Sequence, residues 1–329
     1  MRVFLPGDSV PSLLTCLASR MEVIAPVEVS GAPVFASWSG QPLALAENPL
    51  ISPVEFFLPM KEVLFRYEQD CGRYTFKETS ARPRMIFGIR PCDIAALKVL
   101  DRIFGSDPAD HPYFDKRRST VLVALNCINP SDGCFCSAFG SGPDCGAGFD
   151  LALTEIGSGY LVETGSPAGV LILREHPQFF LEASVSQLLE KGDIMKRTKE
   201  GMDAKNTHTI AQIKEAIERA DWKALGRECL NCGSCTFVCP VCHCFTIVDR
   251  GVPDGERMRC RDTCLLSGFS RMAGGGNPRT LHGERLQNWY RDKFEYIPQN
   301  TGLLGCVGCG RCARACLAEM DRWSLKVKR

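Results

Sequence analysis

Cys229–Cys239 reads CLNCGSCTFVC, and Cys306–Cys316 reads CVGCGRCARAC. Both are C-x-x-C-x-x-C-x-x-x-C, the spacing that holds a 4Fe–4S cubane in bacterial two-cluster ferredoxins. Pro240 follows the first run, as that pattern asks; Leu317 follows the second, where proline is usual. Three cysteines at intervals of three lie on a tight turning loop, so their thiolates converge on one face of a cube. The fourth ligand comes from the other run. This assigns Cys229, Cys232, Cys235 and Cys316 to one cluster, and Cys306, Cys309, Cys312 and Cys239 to the other. The small residues Gly233, Ser234, Gly308 and Gly310 let backbone N–H groups approach cluster sulfur, a contact that tunes potential. A pair of zinc sites is the alternative, but zinc prefers paired two-cysteine knuckles. Paired cubanes imply electron transfer.

Composition narrows the setting. The chain has 329 residues, 45% of them hydrophobic, and a formal charge of +1, so bulk charge points to neither nucleic acid nor an acidic membrane surface. Met1–Val10 meets Pro6, Gly7 and Asp8 before any apolar run develops, so no secretory leader is expected. No segment approaches the roughly 20 apolar residues of a membrane span. Nineteen cysteines in such a chain read as metal binding in a reducing, anaerobic cytoplasm rather than as a disulfide framework.

The expected fold class is α+β or α/β: a mixed α/β domain over residues 1–205, then a mainly α-helical two-cluster ferredoxin-type domain over 206–329 with a long insertion between the motifs. Arg84–Arg90 and Thr120–Asn126 read as buried strands. Asp93–Phe104 reads as a helix with Ile94, Leu97, Leu100 and Ile103 on one stripe. Strand, helix, strand in that order predicts a parallel pair. Phe149–Thr154 and Tyr160–Glu163 read as further strands around a Gly-Ser-Gly turn. Phe179, Leu181, Val185, Leu188 and Leu189 suggest one amphipathic helix, and Ile210, Ile213, Ile217 and Ala220 another, with Lys191–Asn206 as a linker. The runs are separated by 66 residues (306 − 239 − 1), which must fold separately or wrap the clusters. Gly274–Gly276 lacks the lysine and the setting of a phosphate loop and is expected to pack closely near a cluster.

Four of the other eleven cysteines have a geometric case. Cys92 and Cys127 follow the two buried strands, so both stand at the same sheet edge, where ligand sites collect. Cys134 and Cys136 lie on the loop just beyond. These four are a candidate third iron–sulfur site; buried or loose thiols are the alternative. A competing set is Cys242, Cys244, Cys260 and Cys264, crowded against Cys239. Cys16, Cys71 and Cys145 belong to no constellation. His243 reads as packing near a cluster, and Lys116–Arg118 as a solvated basic face able to meet an acidic partner.

Several segments together carry a family resemblance: GIRPCDIAALKVLDRIF (Gly88–Phe104), PYFDKRRSTVLVALNC (Pro112–Cys127), CFC (Cys134–Cys136), CGSCTFVCPVCHCF (Cys232–Phe245), MAGGGNPR (Met272–Arg279) and GCVGCGRC (Gly305–Cys312). The chain resembles the iron–sulfur β subunits of cytosolic sulfur-reducing nickel–iron hydrogenases. The iron–sulfur A subunit of anaerobic sulfite reductase, a 4Fe–4S dicluster protein, is similar too, as are subunits of flavin oxidoreductase complexes coupled to heterodisulfide reductase. The resemblance implies an electron-transfer subunit of a multi-subunit oxidoreductase. Such a subunit relays single electrons between a flavoprotein (FAD, NAD(P)H) subunit and a hydrogenase, sulfite reductase or heterodisulfide reductase partner. Two residues depart from the family pattern, Leu317 and Arg261 in CRDTC (Cys260–Cys264), where an aromatic residue is more usual. No catalytic triad or nucleotide fingerprint is legible, so an electron carrier is expected rather than a catalytic subunit. The alternatives are a chain that itself reduces sulfur or sulfite at an additional open Fe–S site, and a scaffold whose clusters only staple the fold.

Overall fold

The computed structural model describes residues 1–206, 209–320 and 325. The strands, in chain order, are β1 (Arg2–Pro6), β2 (Glu22–Val29), β3 (Ala32–Ser37), β4 (Lys61–Asp70), β5 (Arg73–Glu78), β6 (Arg84–Ile89), β7 (Thr120–Leu125), β8 (Leu151–Ile156), β9 (Gly159–Thr164), β10 (Leu181–Glu182), β11 (Phe245–Arg250) and β12 (Gly255–Arg261). The helices are α1 (Val10–Ala18), α2 (Pro91–Phe104), α3 (His111–Arg118), α4 (Pro167–Glu175), α5 (Val185–Lys205), α6 (Ile210–Arg219), α7 (Trp222–Glu228), α8 (Ser234–Phe237), α9 (His282–Arg291), α10 (Ile297–Thr301) and α11 (Arg311–Arg314).

A mixed eight-stranded sheet, ordered β10-β1-β9-β8-β7-β6-β2-β3, organises the first half. Its centre, β2-β6-β7-β8, is parallel, and antiparallel strands flank it. The central strands are apolar on both faces because both faces are covered. Val23, Met85, Phe87, Val123 and Leu153 meet Leu14 of α1 and Ile172 of α4. On the other face Ile24, Ile86, Leu122 and Ala124 meet Leu97 and Leu100 of α2. Each such side chain, buried, is worth about 1.5–3 kcal/mol. The predicted strand–helix–strand unit is present as β6-α2-β7, and Gly157-Ser158 turns β8 into β9 as expected.

The core over α2 does not stop at residue 205. Val241, Ile297, Val307 and Cys309 complete it. A second, antiparallel sheet, ordered β11-β12-β4-β5, also joins the two halves of the chain. The stretch between the cysteine runs therefore begins as a hairpin paired to β4. Arg259 of β12 is buried there, its guanidinium bonded to Glu62 of β4 and to Asp110, whose side chain also caps α3.

Three expectations are corrected. Lys191–Asn206 is not a linker: α5 runs through it from a capping box in which Ser184 accepts from the Gln187 N–H and Gln187 accepts from the Ser184 N–H. Its Lys, Glu, Met and Arg residues are good helix formers, and Met195 and Met202 are buried. Phe179 and Leu181 precede this helix, in a short turn and in β10. The basic run is not one solvated face, since Lys116 pairs with Glu62, and Arg117 is bidentate to Asp101 at 2.9 Å; only Arg118 bonds outward, to Asp115. Gly274 and Gly275 do not pack near a cluster. They are exposed, with φ of +85° and +88°, and turn a loop closed by Met272 N–H donating to the Gly276 carbonyl.

Candidate metal centres

The two cysteine runs share one backbone. Asn231 and Gly308, each just before the second cysteine, have φ of +55° and +62°; Gly233 and Gly310, just after it, have φ of +73° and +71°. This left-handed region favours glycine and tolerates asparagine, which is why small or Asx residues stand at these positions. Each loop ends in a single helical turn, α8 or α11, carrying the third cysteine, and the two turns pack against each other.

Cys306, Cys309 and Cys312 of the second run and Cys239 of the first line one cavity, walled by Trp289, Phe294 and Val307. Burial raises the Cys306 thiol to about 12 and also pushes up Cys309. Cys239 is held well below the ordinary thiol value, first by the hydrogen bond that the Cys242 thiol donates to it and also by the Lys293 ammonium. Lys293 is buried in a π-helical turn (Asp292–Tyr296) and lies 3.3 Å from Cys239 Sγ, 3.5 Å from Cys242 Sγ and 3.1 Å from the Gly305 carbonyl. Cys229, Cys235 and Cys316 belong to a neighbouring apolar cluster with Ile213, Ile217, Leu225 and Tyr290. Cys232 is the exposed member of the eight; Leu230, two residues before it, and Leu317, after Cys316, are exposed as well. Leu317 is 76% exposed, so the missing proline removes no packing.

Soft thiol donors around a dry space, with a buried cation beside them, fit an iron–sulfur cluster. Among the described residues no three Cys, His, Asp or Glu side chains close on one point as a single bound ion requires; the thiols ring spaces instead.

Arg311, inside the second run, is fully buried and bidentate to Asp93 of the R-P-C-D motif. It also donates to Asn48 Oδ1 at 2.7 Å and to the Pro49 carbonyl at 2.9 Å, while Ser52 Oγ donates to Asp93. The C-F-C loop lies on the same run: Phe135 N–H donates to the Gly308 carbonyl at 2.8 Å and Ser141 Oγ to the Val307 carbonyl at 2.6 Å. Arg261 donates to the carbonyls of Thr236, Cys239 and Cys242, gathering the end of the first run. Asp93, Arg311, Lys293 and Arg261 were not read as site residues from sequence. For Asp93, Arg261 and Arg311 the available signal was a charged residue placed directly beside a cysteine; Lys293 carried no such signal.

The remaining cysteines divide. Cys92, Cys127, Cys134 and Cys136 line a second cavity together with Arg90 and Cys309. The competing set separates into pairs: Cys242 bonds with Cys239, Trp289 and Lys293, Cys244 bonds with Cys264, and Cys260 lies on β12 opposite Thr246. His243 packs edge-on to Phe104, as expected of a packing residue. Cys71 sits at the turn between β4 and β5, Cys16 on α1, and Cys145 in a loop ordered by Asn126.

These features define an iron–sulfur electron-transfer subunit of an oxidoreductase. Residues 228–320 match the family described as "4Fe-4S dicluster domain". The chain is also 31% identical over 278 residues to sulfhydrogenase 2 subunit beta of Pyrococcus furiosus, an alignment covering 83% of this chain and 80% of the relative. It belongs to the family of iron–sulfur β subunits of sulfur-reducing hydrogenases. Among the described residues no helix is long and apolar enough to cross a membrane.

Proposed function

We propose that the chain relays single electrons through two 4Fe–4S clusters that exchange their closing ligands, one on Cys229, Cys232, Cys235 and Cys316, the other on Cys306, Cys309, Cys312 and Cys239. When bound, each cluster takes up and releases one electron. The protein's residues set the rest. Trp289, Phe294 and Val307 exclude water from the cavity shared by Cys239 and the second-run thiols, Lys293 supplies positive charge at Cys239, and the paired turns α8 and α11 pack against each other between the two runs. The exposed thiol Cys232 is where a partner's redox group would approach most closely. On this reading the partners are a flavoprotein subunit handling NAD(P)H and a hydrogenase, sulfite reductase or heterodisulfide reductase subunit. A reducing cytoplasmic setting belongs to the same reading. The domain division at residue 205 does too, as a division of roles and not of packing.

The observation that carries this proposal is Cys239, a first-run residue, lining the same cavity as the three second-run thiols. The test is iron and sulfide quantitation with spectroscopy on the anaerobically purified complex. Cys239→Ala and Cys316→Ala each should remove about four irons and the signal of a different cluster. Iron content unchanged by both substitutions would sink the assignment.

A second reading is that the subunit itself reduces a sulfur substrate. One observation favours it: an open cavity of about 370 Å³ borders Cys134, with Arg197 and Lys205 among its lining. Reduction of polysulfide by the purified subunit with an artificial donor supports that reading; inertness relieved by the partner subunits supports the relay.

A further inference from the structure

We infer that Cys92, Cys127, Cys134 and Cys136 hold a third iron–sulfur cluster, set against the second across the shared wall at Cys309. The four thiols come from three separate anchors. Cys92 stands in the first turn of α2, and Cys127 follows the end of β7; β6 and β7 are parallel neighbours, so both lie at the carboxyl edge of the sheet. Cys134 and Cys136 lie on the C-F-C loop. All four border one cavity, and Cys309 is the one second-run thiol that borders both this cavity and its neighbour.

Independent observations single this cavity out from a chance gathering of thiols. Arg90 is 95% buried and lines it, and its Nε has no hydrogen-bond partner in the protein, although its guanidinium meets Cys127 and the Leu45 and Glu47 carbonyls. A buried guanidinium proton without an acceptor costs free energy, and cluster sulfur is an acceptor of the kind such groups meet around iron–sulfur centres. The helix N-terminus that carries Cys92 adds partial positive charge beside the same space.

The loop is also fixed as a ligand loop requires. A Cβ on Gly142 would meet Cys136 Sγ at 2.7 Å, one on Gly308 would meet the Cys136 backbone at 2.8 Å, and one on Gly310 would meet the Gly133 carbonyl at 2.5 Å. Cys134 Sγ donates to the Cys309 carbonyl at 3.5 Å. Only glycine permits this approach. The third set is thereby pressed onto the second run, and electrons from the second cluster have a contiguous route to it through Cys309. Only that last step rests on the two-cluster reading; the four-thiol site stands without it.

The experiment is metal analysis with redox-titrated EPR on the anaerobically purified full chain, wild type and three variants. Wild type should carry about twelve irons, and Cys134→Ala/Cys136→Ala should carry about eight, losing one cluster signal and keeping two. Cys239→Ala should keep the signal that the double variant loses. Wild type with about eight irons overturns the third cluster and leaves the other two standing; wild type with essentially none overturns both. About twelve irons unchanged in the double variant also overturns it, since the extra iron then lies elsewhere. Should the double variant fail to fold, the wild-type count decides, and Cys92→Ser supplies the site test with a conservative change.

Discussion

Lys293 brings an ammonium group into a space otherwise made of thiols and aromatic rings. Burial works against its charge, yet the neighbouring Cys239, Cys242 and Cys306 outweigh that and raise its pKa well above the ordinary value, so it stays cationic. A fixed positive charge beside a cluster ligand favours the more negative, reduced state, and hydrogen bonds to ligand sulfur act in the same direction. Lys293→Gln should therefore lower the midpoint potential of the second cluster and leave that of the first nearly unchanged. EPR-monitored redox titration reads both; a shift of equal size in both clusters would show a general loosening instead. The two cysteine runs were legible because a 4Fe–4S cube calls for their spacing. Lys293 was not, because its thiol neighbours are 54 and 51 residues away in sequence, and neither motif nor periodicity links it to them.

Among the elements, β12 does the most to join distant parts of the chain. Its Arg259 is 4% exposed at the side chain and bridges Glu62 of β4 to the N-cap of α3. Arg259→Ala takes the cation from Asp110 and one of the two from Glu62, which keeps Lys116, and should cost about 3 kcal/mol. Urea unfolding measures the loss, and hydrogen exchange should speed up in the β11–β12 hairpin before it does in β6 or β7. Sequence was a good guide to elements whose apolar pattern is set by the core: β6, α2, β7 and the β8–β9 turn lie where pattern and turn chemistry put them. It was a poor guide to α5. That helix has a weak apolar stripe and is specified by its cap and by helix-forming residues, so its charged stretch read as a linker. The β11–β12 hairpin was missed for another reason. Its partner, β4, is nearly two hundred residues away, and pairing between such distant segments leaves no local trace.

For the whole molecule, the Asp93–Arg311 pair matters most, since both side chains are completely buried and they join the R-P-C-D motif to the second cysteine run. Removing one partner strands the other's charge, so Asp93→Ala should cost about 3–5 kcal/mol and release iron from the second site before the first. A double replacement with apolar residues, Asp93→Leu/Arg311→Met, should recover much of that loss. Chemical denaturation with iron counting distinguishes the two; equal instability would mean the pair is irreplaceable in geometry as well as charge. The same tie constrains how the protein is made. A chain emerging from the ribosome has the whole first cysteine run before residues 306–316 exist, yet the C-F-C loop's resting place on Val307 and Gly308, and both cubes on the proposed ligand exchange, cannot be completed without them. On that proposal iron loading waits for the end of synthesis, and a nascent chain has to be shielded from oxidants, with its cysteines empty, until the final stretch arrives.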